Sequence, residues 1–311
     1  MTKGIVWRLV GVIAFVVIIS FGAVILFSPK NQQKTSPKIG VAVSFYPMGY
    51  LAEQIGGNKV EVTTLTPAGA EPHDYELTAT DITTIEKSRL LILNGGGLEI
   101  WKDKLGDILR GSLVTEVVAG DGLTTKIFSG RGEEAGTDPH IWLDPKLAMQ
   151  EAKVISQALV ATDPTNESYY SANLAALTDR LIQLDQQYRT GLASCSRQDF
   201  VTSHEAFSYL ASEYGLQQIA IAGLSPDEEP SSSDLAKTAE LVRGKNIKYI
   251  FFESLVSPKL SNTIAKETGA QTLELNPIEG LTADEVSAGK NYDSLMKDNL
   301  SNLEIALECA Q

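Results

Sequence analysis

From residue 38 onward, short apolar runs alternate with longer segments whose apolar residues recur every three or four positions. The first pattern predicts buried strands, and the second predicts amphipathic helices. The predicted strands are residues 39–45, 60–66, 90–93, 113–118, 200–202, 218–222, 249–252 and 272–275. The predicted helices are residues 48–55, 78–87, 99–109, 145–160, 205–214, 232–245, 258–268 and 292–308. This order predicts an α/β fold with mostly parallel sheets.

A further helix is predicted after Asp163 and Pro164, where Asp can cap a helix and Pro fits its first turn. Its apolar positions form one sustained stripe: Leu174, Leu177, Leu181, Leu184, Tyr188 and Leu192. Because strand–helix patterns lie on both sides of it, we predict two α/β lobes bridged by one long rigid helix. The predicted divisions are a lobe over 38–162, the linking helix over 163–194 and a lobe over 195–311. The glycine-rich residues 119–137 are predicted to form a loop.

Residues 1–37 have a different pattern, in which Lys3 and Arg8 precede the uncharged apolar stretch 9–27. A helix of that length spans roughly 28 Å, close to the thickness of a bilayer core. Cleavable signal peptides have shorter apolar regions, and residues 26–29 make a poor cleavage site. The absence of cysteine here argues against lipid attachment at a processed N-terminus. We expect an uncleaved membrane anchor followed by a tether, with a cleaved signal as the alternative, and in either case an extracytoplasmic location.

Composition narrows the possible partners and the redox chemistry. The chain has 39 acidic and 26 basic side chains, for a net charge of -13, and no basic run follows the N-terminal segment. Nucleic acid is therefore not an expected partner. Cys195 and Cys309 are the only cysteines and form no CxxC pair, which excludes a cysteine metal knuckle. Outside the membrane, two cysteines usually oxidise together. The alternative is two unrelated buried thiols.

The sequence contains three histidines, His73, His140 and His204, and each lies in a polar segment just beyond a strand or at the start of a helix. A lone histidine in such a position is usually structural. Ligands of open α/β sheets bind beyond the carboxyl ends of the strands, and neutral imidazole is a common zinc ligand. All three histidines occupy such positions, so we predict that they converge on one metal ion between the lobes.

A tetrahedral zinc site needs a fourth donor, and the best candidate is Glu279, which follows a predicted strand. Its carboxylate would reduce the charge of the buried ion and so make burial less costly. An exposed loop glutamate is the alternative interpretation. Glu274 and Asn276 are nearby competitors for the same role.

Several segments resemble the solute-binding proteins of zinc and manganese ABC importers, the family sometimes called cluster A-I. They are residues 44–47 (SFYP), 51–57 (LAEQIGG), 69–76 (GAEPHDYE), 94–99 (NGGGLE), 138–145 (DPHIWLDP), 223–226 (GLSP), 229–231 (EPS) and 252–258 (FESLVSP). The resemblance covers about 38–309 in the expected order. It implies two lobes bridged by a long helix, a metal site in the cleft, and delivery of the metal to a membrane permease by a monomeric binding protein.

On this resemblance, His73 and His140 are metal ligands from the first lobe, and His204 and Glu279 are ligands from the second. Relatives of this type also have one cysteine near the end of the linking helix and one at the C-terminus, which implies a Cys195–Cys309 disulfide. Manganese-preferring members have a carboxylate where this chain has His204, so zinc is favoured over manganese or iron. Many zinc-type members have a long histidine-rich loop before the second histidine, which this chain lacks.

Two other functions compete with metal delivery. A zinc hydrolase needs an open coordination position, but Ser208 stands where the HExxH motif beginning at His204 would need its second histidine. No GxSxG or Walker A motif is present either. A cell-surface adhesin on the same fold is the second alternative, and an adjacent permease gene would argue against it. We predict a zinc-binding importer component that is not an enzyme.

Overall fold

The first half of the chain forms a four-stranded parallel sheet in the computed structural model, which describes residues 37–129 and 135–310. Its strands are β1 (Ile39–Val43), β2 (Val60–Thr64), β3 (Leu90–Leu93) and β4 (Thr115–Val118). They lie in the order β2-β1-β3-β4, with Val41 paired to both Val62 and Leu90. All four residues of β3 are buried, as expected for a central strand covered on both faces.

The helices of the first half are α1 (Tyr46–Gly56), α2 (Ala79–Lys87), α3 (Leu105–Ile108) and α4 (Pro145–Thr162). Thr78 and Asp81 form a reciprocal capping box at the start of α2, and Asp144 caps α4 just before Pro145. The prediction of one helix over 99–109 was mostly wrong. The Glu99 carboxylate accepts the backbone N–H groups of Asn94 and Gly95. Those bonds hold the region before α3 as a loop that continues into a 3-10 turn at Lys102–Lys104.

The segment predicted as a loop over 119–137 contains a short antiparallel strand pair. Strand β5 (Ile127–Ser129) pairs with β6 (Ala135–Thr137), so the loop prediction was wrong for these residues. Ile127 is 77% exposed. Each strand has only three residues, too few for the alternation of apolar and polar positions by which a strand is recognised from sequence.

The long helix α5 (Glu167–Leu192) has 26 residues and follows a 3-10 turn at Pro164–Asn166. The Asp163 carboxylate accepts hydrogen bonds from the side chains of Thr165, Asn166 and Tyr170, so it stabilises this turn. The predicted stripe is buried from Leu177 to Leu192, and Leu174 is partly buried. It packs against helices from both halves of the chain.

A second four-stranded parallel sheet follows α5. Its strands are β7 (Asp199–Thr202), β8 (Gln217–Ala220), β9 (Tyr249–Phe252) and β10 (Gln271–Glu274), in the order β10-β9-β7-β8. Its helices are α6 (Ser208–Tyr214), α7 (Ser232–Gly244), α8 (Lys259–Thr268), α9 (Ala283–Ser287) and α10 (Tyr292–Ala306). The predicted fold of two α/β lobes with parallel sheets and one long linking helix is confirmed. The exact lobe boundaries at 162/163 and 194/195 stay a prediction.

One large apolar cluster connects the two halves. It includes Val41 and Trp142 from the first half, Leu181 and Tyr188 from α5, and Phe251 from the second half. Dense packing of this kind allows little sliding of one sheet against the other. The two sheets therefore present their loops to each other in a defined arrangement.

A disulfide joins Cys195, which follows α5, to Cys309, which follows α10. It ties the end of the chain to the beginning of the second lobe. Within residues 37–129 and 135–310, the structure contains no helix that combines the length and hydropathy needed to span a membrane. The predicted membrane anchor lies within the first 36 residues, outside the part of the chain that the structure describes.

Candidate metal site

His73 lies in the loop that follows β2, at the carboxyl edge of the first sheet. Its ring is 9% exposed, the most accessible of the three imidazoles. The backbone N–H of His73 donates to Glu71 Oε1 over 3.2 Å, which fixes the local turn. The loop thus presents the His73 Nε2 atom toward the second half of the chain.

His140 is fully buried and is oriented by Asp138, two residues before it. The Asp138 Oδ1 atom lies 2.9 Å from the His140 backbone nitrogen and 2.8 Å from ring atom Nδ1. A carboxylate only accepts hydrogen bonds, so Nδ1 carries a proton and Nε2 presents its lone pair or second proton to the site. Two side chains of α6, Ser208 and Tyr209, donate to Asp138 from the other lobe.

His204 follows β7 and is oriented in the same way by Glu253, which follows the neighbouring strand β9. Both Glu253 carboxylate oxygens lie 2.8 Å from His204 Nδ1, and Oε1 also accepts the backbone N–H of His204. Glu253 is 3% exposed. His204 Nε2 is thereby directed toward the first lobe, as required of a metal-ligating imidazole.

Glu279 lies in the loop after β10 and is 1% exposed. The residue before it, Ile278, has a φ of 59°, a left-handed conformation that β-branched residues rarely adopt. Asn276 stabilises this turn, since its Oδ1 accepts the Ile278 N–H over 2.8 Å. The turn directs the Glu279 carboxylate to the three imidazoles.

The four side chains converge between the lobes. Glu279 Oε1 lies 3.3 Å from His73 Nε2, 3.2 Å from His140 Nε2 and 3.3 Å from His204 Nε2. His140 Nε2 lies 3.1 Å from His73 Nε2 and 3.3 Å from His204 Nε2. All four ligand atoms lie within 4.8 Å of one another.

Most of these separations match the geometry of a tetrahedral ion. Zinc bonds of about 2.0–2.1 Å place neighbouring ligands of a regular tetrahedron roughly 3.3 Å apart. Five of the six pairs among these four donor atoms have separations from 3.1 to 3.3 Å. The residues therefore fit a four-coordinate ion with three nitrogen ligands and one oxygen ligand.

Burial and neighbouring charges shift the protonation of these groups. Burial opposes charge on His204, yet the Glu253 and Glu279 carboxylates raise its pKa well above the ordinary value. Burial also opposes a positive charge on His140, but the Asp138 and Glu279 carboxylates raise its pKa above the ordinary value. Burial lowers the pKa of His73.

The pKa values of the Glu279 and Glu71 carboxyl groups shift in opposite directions. Burial would raise the pKa of Glu279, but the charge of His204 and the hydrogen bonds of the three imidazoles hold it well below its usual range. Burial and the nearby Glu279 raise the pKa of Glu71 to about 9. Glu279 is therefore the ionised member of the pair at neutral pH.

Sequence reasoning missed the two carboxylates that orient the rings. Asp138 could have been noticed because it stands two residues before His140, whereas Glu253 is distant in sequence from His204 and meets it only through the pairing of β7 with β9. Asn276 and Glu274, the alternative candidates for the fourth ligand, do not contribute to the cluster. Asn276 holds the turn before Glu279, and Glu274 lines a separate cavity with Lys290.

The chain has two lobes, each with a parallel β-sheet flanked by helices, and one long helix bridges them. Imidazole and carboxylate ligand atoms lie between the lobes. This arrangement defines the class of the two-lobed solute-binding proteins. The family model of the zinc-uptake complex component A, periplasmic (ZnuA), matches residues 41–306. The chain belongs to this family.

Three similar proteins place the chain within the family. It is 38% identical to the zinc-binding lipoprotein AdcA of Streptococcus pneumoniae, over 92% of this chain but only 59% of that protein. The Zn(II)-bound ZnuA-like domain of AdcA superposes with a TM-score of 0.75, covering 88% of this chain and 100% of the domain. The high-affinity zinc uptake system protein ZnuA of Bacillus subtilis is 38% identical, over 87% of this chain and 88% of its own length.

A third similar protein has two described activities. The laminin-binding protein Lmb of Streptococcus agalactiae is 32% identical with a TM-score of 0.78, over 87% of this chain and 100% of that structure. It is described as a bifunctional protein with adhesin and metal transporting activity.

Proposed function

We propose that this chain binds a zinc ion between its lobes, outside the cytoplasmic membrane, and delivers it to the permease of an ABC importer. The observation that carries the proposal is the set of three imidazole nitrogens and one carboxylate oxygen gathered around one point. His73 and His140 would bind zinc from the first lobe, and His204 and Glu279 from the second. Membership of the zinc-uptake family supports the same conclusion.

Zinc is favoured over manganese or iron by the type of donor. Imidazole suits zinc, whereas manganese prefers oxygen ligands and more of them. Copper also binds such donors strongly, so selection in the cell depends on metal availability as well as on the site. The Asp138 and Glu253 carboxylates add negative charge behind two of the imidazoles and thereby favour a bound divalent cation.

A transport role fits the site better than a hydrolytic one. Catalytic zinc sites keep one position for water or substrate. Here Glu279 supplies the fourth ligand atom, and the Glu279, His140 and His204 side chains are buried. The ion would therefore be the cargo of the protein and would not activate a water molecule.

Location outside the cytoplasm follows from the proposed role. We propose that the apolar residues 9–27 anchor the chain to the membrane, or act as a signal if they are cleaved, and that the following polar residues tether the lobes near the permease. A monomer suffices for this role because one chain supplies all four ligands. A second candidate activity is adhesion, because the similar protein Lmb is described as having both adhesin and metal transporting activity.

Metal analysis of the purified protein tests the proposed function. We expect one zinc per chain after purification without added metal, and we expect excess manganese to leave that zinc bound, because the four donors form a closed nitrogen-rich set. Plasma emission spectrometry before and after dialysis against manganese measures both. Zinc content well below one per chain, with manganese or iron in its place, would contradict the proposal.

Zinc affinity is expected to fall as the pH is lowered through the neutral range. Nearby carboxylates raise the pKa of His140 and raise that of His204 well above its ordinary value, so protons compete with zinc for these two imidazoles. Zinc must displace these protons, and lower pH therefore favours the metal-free form. Titration calorimetry at pH 7 in two buffers of different ionisation enthalpy should detect proton release. Identical apparent enthalpies in the two buffers would show this protonation scheme to be wrong.

A further inference from the structure

Trp142 connects the two ligand loops that face each other across the cleft. Its indole Nε1 donates a hydrogen bond to the Pro277 carbonyl oxygen over 2.8 Å. We name this contact the interlobe hydrogen bond. Trp142 stands two residues after His140, and Pro277 stands two residues before Glu279. One buried bond therefore links a metal-ligand loop of the first lobe directly to one of the second.

The indole ring also supports the imidazole of His140. The centroids of the two rings are 5.2 Å apart, and the ring of Phe45 forms an edge contact with Trp142 at a centroid distance of 4.8 Å. Trp142 has no exposed surface. Its position is thus determined by tight packing, and a shift of the indole would displace the His140 ring.

Helix α10 holds both ends of this connection. The Tyr292 hydroxyl donates to the Trp142 carbonyl oxygen over 2.5 Å. Two turns further along the helix, the Asn299 side chain accepts the Asn276 N–H over 2.8 Å. The same side chain donates to the Asn276 carbonyl oxygen over 2.7 Å. The same helix therefore positions the loop of His140 and the loop of Glu279.

The left-handed backbone conformation of Ile278 explains why the loop before Glu279 needs these contacts. A buried β-branched residue with positive φ is unfavourable and persists only where surrounding contacts impose it. The interlobe hydrogen bond and the Asn276–Asn299 pair hold the residues on its N-terminal side. Without these contacts, Ile278 would relax toward an ordinary backbone conformation, and Glu279 would move away from His140.

We propose that Trp142 is a positioning residue that keeps the two ligand loops closed on four donors and so favours zinc over ions that need more ligands. The inference rests on the proposed function. Closed loops leave the donor set at four, which suits tetrahedral zinc, whereas manganese prefers octahedral oxygen-rich coordination. Loosening the loops would weaken zinc binding more than manganese binding.

The experiment compares Trp142→Phe with a matched control, Trp101→Phe, in the full chain. Phenylalanine keeps an aromatic ring but removes the indole donor, and Trp101 is equally buried in a separate cluster with Ala42 and Leu91. We expect Trp142→Phe to reduce the ratio of zinc to manganese affinity by about tenfold, since a buried hydrogen bond contributes about that factor. Trp101→Phe should leave the ratio unchanged.

Affinities from chelator competition, zinc release rates from stopped-flow mixing and the thermal midpoint of the metal-free protein are measured for each variant. A general loss of structure would weaken both metals equally, so an unchanged ratio in Trp142→Phe overturns the inference. If Trp142→Phe does not fold, Tyr292→Phe decides, because it removes only the hydroxyl that holds the Trp142 carbonyl. Failure of the unmodified protein to bind zinc would instead refute the proposed function.

Discussion

Replacing His204 with alanine is expected to weaken zinc binding by roughly a hundredfold to a thousandfold while the fold survives. Structural zinc sites bind with about 10–16 kcal/mol in total, so the loss of one ligand in four removes about 2.5–4 kcal/mol. The same substitution leaves Glu253 buried without its imidazole partner, which lowers stability as well. Affinity is measured by competition with a chelator, and folding by circular dichroism of the metal-free protein.

Glu274→Ala provides the matched control for this measurement. Glu274 was a competitor for the fourth ligand, but it ends β10 and lines a different cavity. Its replacement should leave zinc affinity unchanged, whereas His73→Ala and His140→Ala should weaken it by orders of magnitude. If His204→Ala binds zinc within threefold of the unmodified protein, the four-ligand assignment is wrong.

Removing the disulfide is expected to lower the free energy of unfolding by about 4–5 kcal/mol, because a long loop is no longer closed in the unfolded chain. Cys195 and Cys309 are separated by 114 residues, so the entropic effect of the crosslink on the unfolded state is large. Urea denaturation of the metal-free Cys195→Ser, Cys309→Ser double variant measures this change.

The unmodified protein under reducing conditions is the control for the two serine substitutions. It should lose stability to the same extent, since the crosslink is then absent while both cysteine side chains remain. A loss below about 1 kcal/mol in both cases would show that the bond does not constrain the unfolded chain as the entropy model requires.

The sequence predicted those parts of the fold in which burial follows a regular period. The β3 residues are all apolar and all buried, and the stripe on α5 marks its buried face from Leu177 to Leu192. The pair β5–β6 and helix α9 escaped prediction. The first is held by backbone pairing beside an exposed Ile127, and the second is a single short turn stabilised by the Thr282–Glu285 capping box.

The candidate ligands could be predicted because their residue types and their positions after strands can be recognised in the sequence. Three histidines beyond strand ends were sufficient to suggest convergence, and the structure brings His73, His140, His204 and Glu279 together. Glu253 and the Trp142–Pro277 contact could not be found in this way, because each depends on a pairing between residues far apart in the chain. No local pattern encodes which carbonyl oxygen an indole will meet.

The wide spacing of the ligands along the chain couples metal capture to folding. His73 and His140 are 67 residues apart, His140 and His204 are 64 apart, and His73 and Glu279 are 206 apart. An unfolded chain therefore brings no two of these four side chains together, so an ion held by all four would bind only to the native state. At a free zinc concentration of a thousand times the dissociation constant, that preference adds about 4 kcal/mol to native-state stability. The loaded protein would then resist proteolysis and heat better than the empty one.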